Sequence, residues 1–127
     1  VATAVLDTSV VLAAIQAEPG GDLAASMMPA ALLSSVNLAE VATKLTKDGL
    51  SRSEVDEVVG ALECEVVPFD RATAIEAGLL RAATHPIGLS LGDRSCLALA
   101  AARGLPVYTA DRDWATLDLG IDIRLIR

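Results

Sequence analysis

"GLSLGDRSCLALAAARGLPVYTADRDW", Gly88 to Trp114, is the stretch that decides the fold. Ser90 and Asp93 stand at capping-box spacing, so a helix is expected to open there and to end near Gly104. "PVYTA" then reads as a short buried strand, and "DRDWATLDL" as a helical turn. A helix feeding directly into an apolar strand is the repeating step of a parallel α/β sheet. Here it carries an aspartate at each end, which asks why one edge of a sheet should gather carboxylates.

Working outward, the same step recurs. "VATAVL" suits a buried strand, and Thr8 or Ser9 can cap a following helix "VVLAAIQAE" that stops at "PGG", Pro19 to Gly21. "DLAASMM" is expected as a short helix broken before Pro29, and "AALLSS" as a second strand. Ser35 can cap "VNLAEVATKLTKDG", and "SRSE" from Ser51 to Glu54 is a second capping box. "CEVVPF" is expected as a third buried strand, followed by one long helix capped by Asp70 and stopped at Pro86. "IDIRLI" closes the chain as a last strand. The expectation is one α/β domain over residues 1–127, with a mostly parallel sheet of about five strands flanked by helices.

Composition agrees. Of 127 residues, 53% are hydrophobic and 21% charged, which excludes disorder. Aromatics are only 2%, so small and branched side chains must build the core. No apolar run approaches the roughly 20 residues of a membrane span, and "VATAVLDTS" lacks the basic start of a signal peptide. Cys64 and Cys96 lack metal-ligand spacing and are expected to be reduced and buried, in a cytoplasmic protein. The net charge of -7 argues against a general nucleic-acid coat protein, unless the acids cluster around cations.

They have the placement to do so. Ligands of open α/β sheets collect beyond the carboxyl ends of the strands. Asp7 follows the first strand, Asp111 follows "PVYT", Asp93 lies in a first helical turn, and Glu40 sits about one turn into a helix. Each has a plainer reading: Asp7 as a cap, Asp93 in its capping box, Asp111 opening a turn, Glu40 paired with Lys44 four residues on. Together they would repel one another in a crevice unless compensated. An all-oxygen set suits Mg²⁺ or Mn²⁺, one or two ions, able to polarise a phosphoryl oxygen and deprotonate water. Two such ions would bring the total charge to about -3.

"VLDTSVVLA", "SSVNLAEVATKL", "GLSLGDRSCLALA" and "VYTADRDW" occur in the order of the motifs of PIN-domain ribonucleases, and the chain resembles that family over essentially its whole length. The nearest group is the VapC-type toxins of bacterial toxin–antitoxin pairs. The resemblance implies that Asp7, Glu40, Asp93 and Asp111 are the acidic quartet that binds Mg²⁺ or Mn²⁺ and supports RNA phosphodiester hydrolysis. It matches Ser9 and Thr109 to the family's small polar positions, and Asp113 to a position that is often acidic. It also implies a homodimer and a VapB-type antitoxin that blocks the site. "VVLAAIQAE" and "DLAASMM" can wall a groove for that partner, or Met27 and Met28 can simply fill the core.

Arg94 and Arg112 adjoin proposed ligands and can either hold a substrate phosphate or neutralise acids. His85 has no companion at ligand spacing, Cys96 is expected to be buried, and Trp114 is expected to anchor a turn. With Tyr108 and Phe69 as the only other aromatics, reading RNA by base stacking is not expected. The competing functions are a PIN-fold regulatory or binding module without turnover, and a phosphohydrolase or phosphoacceptor on another doubly wound sheet. The last usually needs a second acid two residues after the first or a late lysine, and no lysine follows Lys47.

Overall fold

A computed structural model describes residues 1–127. Five short strands, β1 (Ala4–Leu6), β2 (Ala31–Ser34), β3 (Glu65–Val67), β4 (Val107–Thr109) and β5 (Ile123–Leu125), form one sheet in the order β3-β2-β1-β4-β5. Every pairing is parallel. Parallel neighbours require crossovers; seven helices lie in three of the connections between successive strands, and a 3₁₀ turn at Arg112–Thr116 lies in the fourth, from β4 to β5. The helices are α1 (Thr8–Ile15), α2 (Gly21–Met27), α3 (Ser35–Lys47), α4 (Arg52–Gly60), α5 (Arg71–Leu79), α6 (Arg81–Thr84) and α7 (Leu91–Arg103).

The strands alternate between two cores, as the two-residue period of a strand demands. Leu6, Ala31 and Leu33 point to one face, with Val10, Val11 and Ala13 of α1 and Val41 and Leu45 of α3. Val5 and Leu32 point to the other, with Cys96, Leu97, Leu99 and Ala100 of α7, Val107 and Trp114. The sheet is therefore covered on both sides, and both cysteines are free and buried. No helix is long and apolar enough to cross a membrane.

Four local expectations need correction. Asp7, not Thr8 or Ser9, caps α1, its carboxylate accepting from the Val10 amide at 3.1 Å. Ser34, not Ser35, caps α3; the Ser35 hydroxyl instead accepts from the Phe69 amide at 3.0 Å. β3 is not buried, because it lies at the sheet edge with a neighbour on one side only, and Glu65 and Val66 face outward. The long helix after Asp70 is broken at Leu80, two residues after Gly78, into α5 and α6. Both capping boxes, at Ser51 and at Ser90, are present. Gly104 ends α7 in the left-handed region (φ 63°), where a glycine has no Cβ to resist.

Candidate active site

The strand order reverses between β1 and β4: β2 and β3 extend to one side of β1, β4 and β5 to the other. Such a switch point opens a crevice beyond the strand ends. Asp7 and Asp111 follow the two strands that flank it. The Asp7 amide donates to the Tyr108 carbonyl at 3.1 Å, continuing the β1–β4 pairing to the aspartate itself.

Asp7 is 3% exposed, and both carboxylate oxygens are held. One accepts from Ser9 Oγ at 2.6 Å and from the Val10 amide; the other accepts from Thr109 Oγ1 at 2.7 Å. Ser9 Oγ in turn accepts from the Ala110 amide, and Thr109 Oγ1 from the Asp111 amide. The two hydroxyls thus lace the end of β1 to the segment that carries Asp111. Burial, helped by the Asp93 charge, pushes the Asp7 carboxyl up to about 6 against the pull of these hydrogen bonds.

Glu40 is fixed by neighbours that motif reading passed over. Its Oε1 accepts from Thr8 Oγ1 at 2.5 Å and from Asn37 Nδ2 at 3.0 Å. Asn37 is fully buried and also donates to Thr8 Oγ1 and to the Gly92 carbonyl, both at 3.1 Å, so a single amide ties α1, α3 and α7 together. Asn37 Oδ1 is buried without a partner. Gly92 supplies the remaining wall, since a Cβ there would overlap the Glu40 carboxyl group. The alternative Glu40–Lys44 pair does not form; Lys44 Nζ donates to Asp48 at 2.9 Å. The signal for Asn37 lay in its place three residues before Glu40, one turn away on the same face.

The plainer readings of Asp93 and Asp111 hold without exhausting either residue. Asp93 Oδ2 accepts from the Ser90 amide at 2.9 Å, and Asp111 Oδ1 accepts from the Asp113 amide at 3.0 Å. The second oxygen of each, like Glu40 Oε2, takes no hydrogen bond from the protein. Burial raises the Asp93 carboxyl, the bonds from Ser90 oppose this, and the charges of Glu40 and Asp111 raise it again. Asp7 is coupled to Asp93, and Asp93 to both others, so the four share one field.

No ion pair within 4 Å neutralises any of them. No three acid, histidine or cysteine groups converge to chelating distance as the side chains lie. Four acids with three free oxygens and no ion pair to any of them are nevertheless a donor set that fits a hard, oxygen-preferring divalent cation. Glu40, Asp93 and Asp111 have oxygens to give, with Asp7 behind them.

The supporting residues divide. Ser9 and Thr109 bond Asp7 directly. Asp113 is exposed and reaches Asp111 only through its backbone. Arg112 is exposed beside Asp111, without an ion pair within 4 Å. The Arg94 guanidinium turns to α5, donating to the Ala77 carbonyl at 3.0 Å. Cys96 lies beneath the acids, its thiol donating to the Asp93 carbonyl at 3.2 Å; burial and the charges of Asp7, Asp93 and Glu40 push it well above the ordinary thiol range. Trp114 is fully buried in the second core, and His85 is exposed on a turn.

Between α1, α2 and α4, an apolar cleft of about 360 Å³ is lined by Ala14, Ile15, Ala25, Met28, Val58 and Leu62 among others. The segments "VVLAAIQAE" and "DLAASMM" supply two of its walls, and α4 the third. Met28 both lines it and packs in the first core.

The order of strands, the switch-point acids and their coupling define an α/β fold with a candidate acidic centre, and the fold has known relatives. Residues 4–119 match the PIN domain family, and the chain belongs to it. Its structure is similar to that of DNA-bound VapBC from Salmonella typhimurium (22% identity, 100% of both chains, TM-score 0.78). It is also similar to VapC20 from Mycobacterium tuberculosis, a sarcin–ricin loop cleaving toxin (18% identity, 91% of this chain and 97% of that one, TM-score 0.72). VapBC-5, a toxin–antitoxin system member from the same organism, is 28% identical over 100% of this chain and 99% of that one (TM-score 0.61). Among curated proteins none matches.

Proposed function

We propose that the protein is a metal-dependent endoribonuclease toxin of the VapC type, restrained by a VapB-type antitoxin. The observation that carries this reading is the group of four carboxylates from four separate segments, coupled in one field at the sheet's switch point, with no ion pair within 4 Å to neutralise them. The free oxygens of Glu40, Asp93 and Asp111 are not among the buried unpartnered atoms, so they stand open to solvent and to a cation beside the buried fourth acid.

Glu40, Asp93 and Asp111 would hold Mg²⁺ or Mn²⁺, one or two ions, with Asp7 the buried anchor. A bound divalent cation supplies a water of lowered pKa and polarisation of the phosphoryl oxygen. The chain's own residues supply position. Ser9, Thr109 and the Val10 amide hold Asp7 as an acceptor; Thr8, Asn37 and the space at Gly92 aim Glu40; the Ser90 capping box fixes Asp93. The site lies open at the strand ends, where an RNA strand can reach it.

The apolar cleft between α1, α2 and α4 is the surface proposed to seat the antitoxin, and the antitoxin complexes among the structural relatives support such a partner. A homodimer belongs to the same reading, and Ile75, Leu79 and Leu91 are exposed apolar side chains available to it.

The test is cleavage of RNA by purified protein with Mg²⁺ or Mn²⁺ and its loss with chelator, Asp7→Asn or Asp93→Asn, the variants keeping the parent's circular dichroism. Mapping RNA ends after induced expression, with Asp7→Asn as control, identifies the substrate. If both folded variants cut RNA as fast as the parent, the site assignment is wrong and the non-catalytic binding module takes its place.

A further inference from the structure

With ten Lys and Arg against seventeen Asp and Glu, this chain repels a polyanion overall, so RNA must be drawn to the acids by local charge. Lys44 and Lys47 are the only lysines in the chain, and both are exposed on α3. With Glu40 and Thr43 they fall at i, i+3, i+4 and i+7, a single stripe of the helix. The stripe lies along a cleft of about 300 Å³ whose other wall is Thr8 and Leu12 of α1, and Leu12 is its one apolar residue. Glu40 belongs to the candidate centre, so the cleft runs from that centre to the lysines.

Along the helix axis Lys44 and Lys47 lie ~6 and ~10 Å beyond Glu40, at 1.5 Å per residue. That is about one to three nucleotides of a strand, whose steps run from ~3.4 Å in a stacked duplex to longer when the strand is extended. Lys44 is partly engaged with Asp48, which Gln16 Nε2 also contacts at 3.0 Å. Lys47 makes no ion pair within 4 Å. Both lysines also complement the negative end of α3. That role explains charge in the last turn, but not a polar cleft that continues to Glu40.

We propose that this cleft is the backbone subsite of the RNA substrate: Lys47, assisted by Lys44, binds phosphates a few nucleotides from the scissile linkage. The inference rests on the nuclease reading of the four acids. Phosphate contacts position a strand without reading its bases, so the subsite sets affinity and register rather than the choice of sequence.

The test uses the full chain as parent, Lys44→Gln, Lys47→Gln, the double variant, Lys47→Arg, and Arg52→Gln on α4 as a remote control. Steady-state cleavage of a labelled single-stranded RNA gives kcat and KM. Fluorescence anisotropy of the same RNA in EDTA across a KCl series gives the salt slope. Expected for the double variant are a KM raised on the order of tenfold, kcat within twofold, and a slope smaller by about 1.4, at ~0.7 per single-strand phosphate contact. Lys47→Arg should keep most of the affinity, and Arg52→Gln all of it.

Unchanged KM and slope in the double variant overturn the subsite, as does a lowered melting temperature with unchanged RNA binding, which would leave only the helix-end role. A parent that binds RNA in EDTA but never cuts it sinks the nuclease reading, while the slopes still judge the subsite. Equal displacement of RNA by poly-glutamate would mark a generic anion patch and overturn it too.

Discussion

Gly92 and Asp7 set the tolerances of the site from opposite directions, one by leaving out an atom and one by burying a charge. Gly92→Ala would put a methyl where the Glu40 carboxyl group lies. Either Glu40 leaves Thr8 and Asn37, or α7 shifts from α3; overpacking of this kind costs about 1–3 kcal/mol. The expected result is a loss of cleavage of roughly 10- to 100-fold, the scale of disturbed outer-shell partners, with a measurably lower melting temperature. A fully active Gly92→Ala protein would show that Glu40 need not stay where it is. For Asp7 the sign follows from a folded-state pKa raised to about 6 from 3.8. Its contribution to stability is fully present below pH 3.8 and is lost as pH rises through 6, a cost of about 3 kcal/mol at ~1.4 kcal/mol per unit. The amide introduced by Asp7→Asn cannot ionise, so in chelator the stability of that variant relative to the parent should improve between about pH 4 and pH 8. Part of the gain is offset because Thr109 must reorient its hydroxyl. Urea melts at the two pH values check this; a difference that does not move with pH would mean that the buried carboxylate carries no such cost.

Helix α7 shows how one element serves folding and the site with the same atoms. Ser90 and Asp93 close a capping box, and the bonds from Ser90 also restrain the rise of the Asp93 carboxyl. Ser90→Ala should therefore cost about 1 kcal/mol, a typical cap, and shift the acid limb of the pH–rate profile to higher pH. A destabilised variant with an unmoved profile would separate the cap from the chemistry. The capping box was legible because it is a local pattern, as were the β–α alternation and the four acids, each marked by its distance from a strand end or helix start. What stayed hidden needed the third dimension. The sheet order makes β3 an exposed edge, and no property of "CEVVPF" announces that. Asn37 meets Gly92 from 55 positions away, so its part in the site depends on α3 lying against α7. Asp7 displaced Thr8 and Ser9 as the cap of α1 because its carboxylate reaches the Val10 amide while the two hydroxyls are taken by Glu40 and by Asp7 itself.

At the scale of the whole molecule, the net charge of -7 is unevenly distributed. The outer acids Asp48, Asp56 and Asp122 sit in exposed ion pairs, where screening makes each worth little. The four at the switch point have no ion-pair partner within 4 Å, and their repulsion is a standing cost that grows with the burial of Asp7 and Asp93. A fold that keeps such a group is one whose stability should answer to divalent cations. Binding only to the native state adds RT ln(1 + [L]/Kd), about 2.7 kcal/mol at a concentration 100 times Kd, or roughly 10 °C in melting temperature for a chain of this size. Mn²⁺ should therefore raise the melting temperature of the parent, while NaCl at matched ionic strength does not. Asp93→Asn should lose most of that response, because it removes the acid through which the other three are coupled. Were the same rise seen in Asp93→Asn, or were NaCl as effective, the cations would be acting on the overall charge and not on these four carboxylates.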